Sequence, residues 1–275
     1  MMVCVSIVFL QLKKYNKPKG GVQKKMHQTT MAWEIRQRLL QHPERNGLML
    51  LDTQSDSMEI EGVLVLQHGH RWQVLPGGDP AAYSRVCSEI RHRQDWYVVI
   101  GDQQMMQLMA FDTIELERTY LLRGEPRGQA SFPVQALSVK DFPDIGNLVA
   151  SMQEFGGSFR PAKLRAELEM GQPFLGVWLS GSLVGCLRIE EKEEIAGVFS
   201  LCVDPRFRGR GIATSLIVSA SRMMRPRPLF LTTHTPAAER LYRFLGFQMG
   251  CDLFVGTKNP PAREPAGSES SLRKA

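Results

Sequence analysis

Along this chain the spacing of hydrophobic residues changes from helical to strand-like and back, and each change marks an element. Between Ala32 and Gln41, Trp33, Ile35, Leu39 and Leu40 recur at helical spacing. Asn46-Gly47 then predicts a turn into an apolar strand, Leu48–Leu51. A second strand is expected over Met58–Leu66, and His68-Gly69-His70 turns into a third, Trp72–Leu75. Pro76-Gly77-Gly78-Asp79-Pro80 breaks the pattern and opens a helix near Ala81, where Asp79 can cap and Pro80 suits the first turn. Strand Trp96–Ile100, a short helix around Gln103–Met109 and strand Thr113–Leu122 complete this half. The charged, glycine-containing stretch Arg123–Gly128 reads as a linker.

The second half opens with strand Phe132–Leu137, a helix from Asp141 and Pro143 to about Met152, and another over Pro161–Met170. Strands Phe174–Leu179, Leu183–Glu190 and Ile195–Val203 follow, with Gly181 turning between the first two. Asp204-Pro205 ends the third, and a loop of arginines and glycines leads into helix Ala213–Met223. Strand Leu229–Thr232, helix Ala237–Leu245 and strand Phe247–Val255 finish the pattern. Ala32–Leu122 and Ala162–Val255 thus run through one order: helix, three strands, glycine loop, helix, strand, helix, strand. Few residues coincide, so the repeat is one of element order, and duplication explains it better than chance. The fold class expected is a mixed α/β sheet flanked by helices.

A chain of 275 residues is long for one domain and comfortable for two. With 43% hydrophobic and 23% charged residues, it has ample material for a core. A net charge of +6 indicates a mild preference for anions. The basic residues are spread out except at Lys13–Lys25 and Arg206–Arg210, so no nucleic-acid partner is expected. The apolar run Met1–Leu10 is too short to span a bilayer and lacks the flanks of a signal peptide, so no membrane partner is expected either, and the cytoplasm is the default location. Residues 1–30 read as a flexible extension or as lying upstream of a true start at Met26 or Met31. Residues 257–275 read as a disordered tail rich in proline, serine and charge. The five cysteines, Cys4, Cys87, Cys186, Cys202 and Cys251, form no C-x-x-C pair and read as thiols. His68 and His70 have no partner cluster, so no metal is expected.

The segment with chemistry in it is Val203-Asp204-Pro205-Arg206-Phe207-Arg208-Gly209-Arg210-Gly211-Ile212-Ala213-Thr214. A strand ends, glycines let the backbone approach a ligand, and a helix begins with unpaired N–H groups and the positive end of its dipole. Such a junction holds phosphate or pyrophosphate, and Arg206, Arg208 and Arg210 add attraction. It is no Walker loop, because no lysine followed by serine or threonine succeeds the last glycine. Nor is it a Rossmann fingerprint, since Val218–Leu231 contains no acidic residue to meet a ribose. A plain surface turn is the bland alternative.

Arg208, Gly211 and Ala213 fill the fixed positions of a pattern Arg/Gln-x-x-Gly-x-Gly/Ala, and Ala238, Leu241, Tyr242, Gly246 and Phe247 fill most of a later one. Together, in this order with a strand between, they resemble the two signatures of the GNAT superfamily of N-acetyltransferases over roughly Phe132–Val255. The resemblance implies tandem GNAT-like domains on a mostly antiparallel sheet: a degenerate one at 31–128 and a catalytic one at 129–256. It implies acetyl-CoA as co-substrate, its pyrophosphate held by backbone N–H groups across Arg208, Gly209, Arg210, Gly211, Ile212, Ala213 and Thr214. It also implies that Leu201, Cys202 and Val203 hydrogen-bond the pantetheine arm like an added strand, in a slot where that strand splays from Leu229–Thr232. Tyr242 stands where the family often keeps a general acid.

The sequence departs from the family at Thr235, where asparagine is common; its hydroxyl would contact the coenzyme in part or cap the helix. No general base is identified. Glu190, Glu191, Glu193 and Glu194 read as a solvated hairpin tip, and His234 as a polar loop residue with base or proton shuttle as the sharper role. Pro76–Pro80 carries no arginine and an acidic residue, so coenzyme binding is expected to be lost in the first half, which would wall the acceptor cleft or stabilise its partner. The expected protein is a monomeric or homodimeric enzyme acetylating an unidentified amine. The alternative is a non-catalytic acetyl-CoA sensor.

Overall fold

In the computed structural model, residues 37, 39–51, 55–75, 79–94, 97–152 and 161–259 are described. Two short turns set the strand registers. Glu61 and Gly62 have φ values of 48° and 82°, and Ser180 and Gly181 have 49° and 79°. Two successive positive φ angles give the tight hairpin turn whose twist matches that of its strands. The first turn joins β1 (Asp56–Ile60) to β2 (Val63–His68), and the second joins β7 (Phe174–Leu179) to β8 (Ser182–Glu191). The remaining strands are β3 (Arg71–Val74), β4 (Tyr97–Gly101), β5 (Thr113–Leu122), β6 (Gln135–Leu137), β9 (Ala196–Val203), β10 (Leu229–Thr233) and β11 (Gln248–Lys258). The helices are α1 (Pro43–Leu51), α2 (Pro80–Arg93), α3 (Gln103–Gln107), α4 (Phe142–Ala150), α5 (Pro161–Glu169), α6 (Ile212–Met224) and α7 (Pro236–Leu245).

Among the described residues all the strands join one 11-stranded sheet in the order β1-β2-β3-β4-β11-β5-β10-β9-β8-β7-β6. It is antiparallel except at β3–β4 and β9–β10. The order contains a reciprocal exchange. The last strand of the first half, β5, pairs with β10 of the second, while the last strand of the second half, β11, pairs with β4 of the first. β5 and β11 then pair with each other, antiparallel, in the middle. Each half therefore completes the sheet of the other.

The sheet has an outer and an inner face. On the outer face α6 and α7 cover Leu187, Leu201, Leu229 and Leu231 of the second half, and α2 and α3 cover Val65, Trp72 and Val99 of the first. Leu187 and Leu216 are fully buried, and each contributes roughly 1.5–3 kcal/mol by leaving water. On the inner face α4 and α5 pack over Leu183, Cys186 and Cys202. The sheet curves around α1, so Leu64 and Leu66 of β2 share one cluster with Met49, Phe199 and Phe230.

The mixed, mostly antiparallel sheet matches the expected fold class, and three local readings change. Leu48–Leu51 is the end of a helix, not a strand. Asn46-Gly47 makes no turn: the Asn46 side chain donates to the Leu39 carbonyl at 3.1 Å. A Cβ at Gly47 would lie 2.3 Å from the Phe230 ring, so glycine there permits the approach of helix to sheet. The expected single strand Met58–Leu66 is the hairpin β1–β2, divided at Glu61-Gly62. The helix expected over 32–41 lies largely outside the described residues, as do residues 1–30, Pro76–Gly78 of the first-half loop and 260–275. Among the described residues no helix is long and apolar enough to cross a membrane.

Candidate active site

The parallel strands β9 and β10 bond to each other only at Ala196–Leu229 and Gly197–Phe230. β9 continues to Val203 and β10 to Thr233, so beyond these pairs the strands part and leave a slot between their C-terminal ends. A bulge accompanies the parting: Ser200 has φ 52°, and the β8–β9 register shifts between Phe199 and Cys202. Such a bulge bends its strand and turns local groups out of the ladder. The side chains of Leu201, Cys202 and Val203 are buried, so what this stretch offers the slot is main chain.

At the mouth of the slot lies the arginine–glycine loop. Asp204 accepts from the Arg206 N–H at 2.9 Å and from the Arg206 guanidinium at 2.7 Å. Those hydrogen bonds hold its carboxyl below the usual carboxylate range. Arg208 turns back, donating from Nε to the Val203 carbonyl at 3.0 Å. Arg210 stacks over Phe207 at 5.3 Å. Arg206 and Arg208 thus shape the loop as well as charging it. Gly209 and Gly211 have φ values of 77° and 88°, in the region costly for residues with a Cβ.

Gly211 is the N-cap of α6 and provides no capping side chain. The first helical bond runs from the Ser215 N–H to the Gly211 carbonyl at 2.9 Å, so the N–H groups of Ile212, Ala213 and Thr214 lie ahead of the ladder. The Ser215 hydroxyl donates to the same carbonyl and accepts from the N–H groups of Ser131 and Phe132, tying the loop to the chain just after the linker. Of the residues that the sequence singles out here, Arg208–Gly211 lie on the loop and Ile212–Thr214 form the first turn of α6. A helix end of this kind favours an anion through its dipole and its unpaired N–H groups.

Past β10 the chain enters α7 at Thr235. Its hydroxyl does not cap the helix; it lies 3.3 Å from the Thr233 hydroxyl, which accepts from the Thr235 N–H at 3.1 Å. Tyr242 is 0% exposed in the outer core, its ring centroid 5.8 Å from Tyr120 and 5.6 Å from Phe247. It belongs to the same cluster as Leu201, Val203 and Ala238, which places it behind the slot. Two of the glutamates at the β8–β9 tip are tied to cations: Glu191 to Arg227 at 3.0 Å and Glu190 to Lys192 at 3.9 Å. No group of histidine, cysteine and acidic side chains able to hold a metal occurs among the described residues.

One site residue escapes sequence reasoning. Glu117 of β5, nearly buried, places Oε1 3.3 Å from Nδ1 of His234 at the end of β10. Burial raises the Glu117 carboxyl pKa, with His234 opposing the shift, and the Glu117 hydrogen bond raises that of the His234 ring. Further along the inner face, the buried Arg188 pairs with Glu167 at 3.0 Å and stacks on Phe199 at 4.9 Å. No sequence motif joins Glu117 to His234. Only the exchange of β5 into the second half makes them neighbours.

Residues 143–247 match the model of the acetyltransferase (GNAT) family. Among solved structures, a putative GNAT acetyltransferase from Novosphingobium aromaticivorans is 20% identical with a TM-score of 0.52, covering 80% of this chain and 99% of its own. A GCN5-related N-acetyltransferase from Kribbella flavida is 15% identical with a TM-score of 0.54, over 84% and 96%. A tandem GNAT protein of the clavulanic acid biosynthesis pathway is 13% identical with a TM-score of 0.50, over 86% and 97%. At these identities the likeness is one of fold. No curated protein matches the chain.

Proposed function

Given that residues 143–247 are a domain of the GNAT acetyltransferase family, whose membership implies acyl transfer from an acyl-CoA, we propose that this protein is an N-acetyltransferase moving the acetyl group of acetyl-CoA onto a primary amine. The observation that carries the reading is the uncapped α6 terminus at the mouth of the β9–β10 slot. Backbone N–H groups across Arg208–Thr214 would hold the pyrophosphate, and the main chain of Leu201, Cys202 and Val203 would bond the pantetheine arm along the edge of β9. When bound, acetyl-CoA supplies an activated acyl group. Tyr242, buried behind the slot, is the proposed proton donor to the departing sulfur. Thr235, its hydroxyl 3.3 Å from that of Thr233, is a further proposed contact to the coenzyme. The first half, residues 31–128, is the proposed degenerate partner of the catalytic half, 129–256.

The test is acetyl transfer from acetyl-CoA across a panel of primary amines, with Tyr242→Phe beside the wild type. Turnover by the wild type and a loss of about 100-fold in kcat at retained coenzyme affinity are expected, the usual size of a proton-transfer contribution. Tight coenzyme binding without turnover on any amine would instead make the protein a sensor of acetyl-CoA.

A further inference from the structure

The proposed reaction needs a neutral amine, and therefore a group that takes its proton. On the inner face, the antiparallel β5–β10 register sets Thr233 opposite Arg118 and Thr232 opposite Thr119, so His234 follows on opposite Glu117. Strand alternation puts Phe230, Thr232 and His234 on the inner side of β10, away from α6 and α7. The Glu117 side chain is 5% exposed and that of His234 41% exposed, so the carboxylate is covered and the ring, at the end of β10, is partly open to solvent. Burying a carboxylate in a strand otherwise flanked by Thr119, Leu121 and Leu253 costs stability that an apolar residue would not. That cost is the mark of a group kept for its chemistry.

We propose that Glu117 and His234 form a proton-accepting dyad for the acceptor amine, so that the active site is composite and the exchanged strand of the first half supplies its positioning carboxylate. This rests on the acetyl-transfer reading. Glu117 accepts from the Nδ1–H of His234, which fixes the tautomer and leaves Nε2 as the accepting atom. An ammonium acceptor gives one proton to Nε2, from which it passes to solvent. The freed lone pair forms the amide C–N bond at the expense of the thioester C–S bond. Tyr242 hands its proton to the leaving sulfur and recovers one from the nitrogen. In this scheme His234 is the catalytic residue and Glu117 the positioning one.

The titratable groups facing the ring are Glu117 and Glu115 of β5. Arg118, Glu239 and Asp252 form an ion cluster on the outer face. From α1, Glu44 pairs with Arg123 and Arg45 acts on Cys251.

The experiment uses the full chain, acetyl-CoA and the best amine of the panel. Calorimetry gives coenzyme affinity, and kcat/KM is followed against pH for wild type, His234→Gln, Glu117→Gln and Glu117→Ala. A proton-accepting histidine works in its neutral form. Since Glu117 raises its pKa, wild-type kcat/KM should climb with pH through a group above 6.5. His234→Gln should lose about 100-fold and the limb with it. Glu117→Gln should lose about tenfold and move the limb to lower pH, an effect that a merely structural carboxylate would not produce. The NMR titration of the His234 ring should shift the same way, and a Glu117→Ala variant that unfolds leaves these readings on Glu117→Gln decisive. Rates within threefold of wild type and an unmoved limb in both Gln variants would overturn the dyad while the transferase reading stands. A wild type that binds acetyl-CoA and acetylates no amine would overturn the transferase reading, and the dyad with it.

Discussion

Both halves of the molecule place a parallel strand pair beside a loop that opens a helix, and they treat that junction differently. In the first half β3 and β4 bond at Arg71–Val98, Trp72–Val99 and Gln73–Ile100, almost to the ends of both strands. α2 then starts with Asp79 as N-cap, its carboxylate accepting from the Ala81 N–H at 2.9 Å, and with Pro80, which has no N–H. The helix end is satisfied by its own sequence. In the second half β9 and β10 part after their second pair, and α6 begins at a left-handed glycine with no cap. One junction closes on itself and the other is left uncapped. The difference comes down to which residue stands at the N-cap and how far the ladder runs, since the surrounding strand order is the same.

The halves nevertheless stand or fall together, and the most disruptive test of the comparison is aimed at their seam. Gly250 lies at a register shift of β11 against β5, and a Cβ there would sit 2.1 Å from the Glu44 carbonyl of α1. Backbone cannot yield as a flexible side chain does, so Gly250→Ala should cost about 3 kcal/mol, the upper end of overpacking. Chemical unfolding should show one transition moved to lower denaturant, because β5 and β11 belong to both halves at once. Two separated transitions would mean that the halves are independent despite the exchange.

A second test makes the open junction resemble the closed one. Gly211→Asp places a carboxylate at the N-cap of α6, where Asp79 stands on α2. The new side chain competes for the first-turn N–H groups and repels phosphate. Acetyl-CoA affinity should fall at least 100-fold, or about 2.7 kcal/mol. Stability should change by less than about 1 kcal/mol, since capping offsets the cost of a left-handed aspartate. Calorimetry and thermal unfolding on one sample separate the two. Unchanged affinity would mean that the pyrophosphate binds elsewhere.

The sequence makes the second half far more legible than the first, for a physical reason. Its turns are spelled by residues with one conformational meaning: Ser180-Gly181, Asp204-Pro205, and Pro236 at the start of α7. The strands and helices between them fall within a few residues of expectation. In the first half Leu48–Leu51 is a short apolar run, which fits strand or helix equally, and Asn46-Gly47 imitates a turn while serving inside a helix. Glu61-Gly62 hides within a longer apolar alternation. The arginine–glycine loop is readable because its parts are contiguous. Glu117 and His234 are not, because which strand β5 pairs with is decided by the exchange, a long-range choice that no local pattern encodes.

The mildest test works on the closed junction. If Asp79 is there to finish the helix, Asp79→Ala removes one side-chain acceptor from an exposed N-terminus and nothing else. The loss should be about 1 kcal/mol, the usual worth of a cap, seen as a small drop in the unfolding midpoint with an unchanged m-value. Acetyl-CoA affinity should stay where it is, and no second binding event should appear, because Pro80 still withholds an N–H and β3 and β4 remain zipped. A second coenzyme site would show instead that the cap alone separates the two halves, and that the first needs a single substitution to bind.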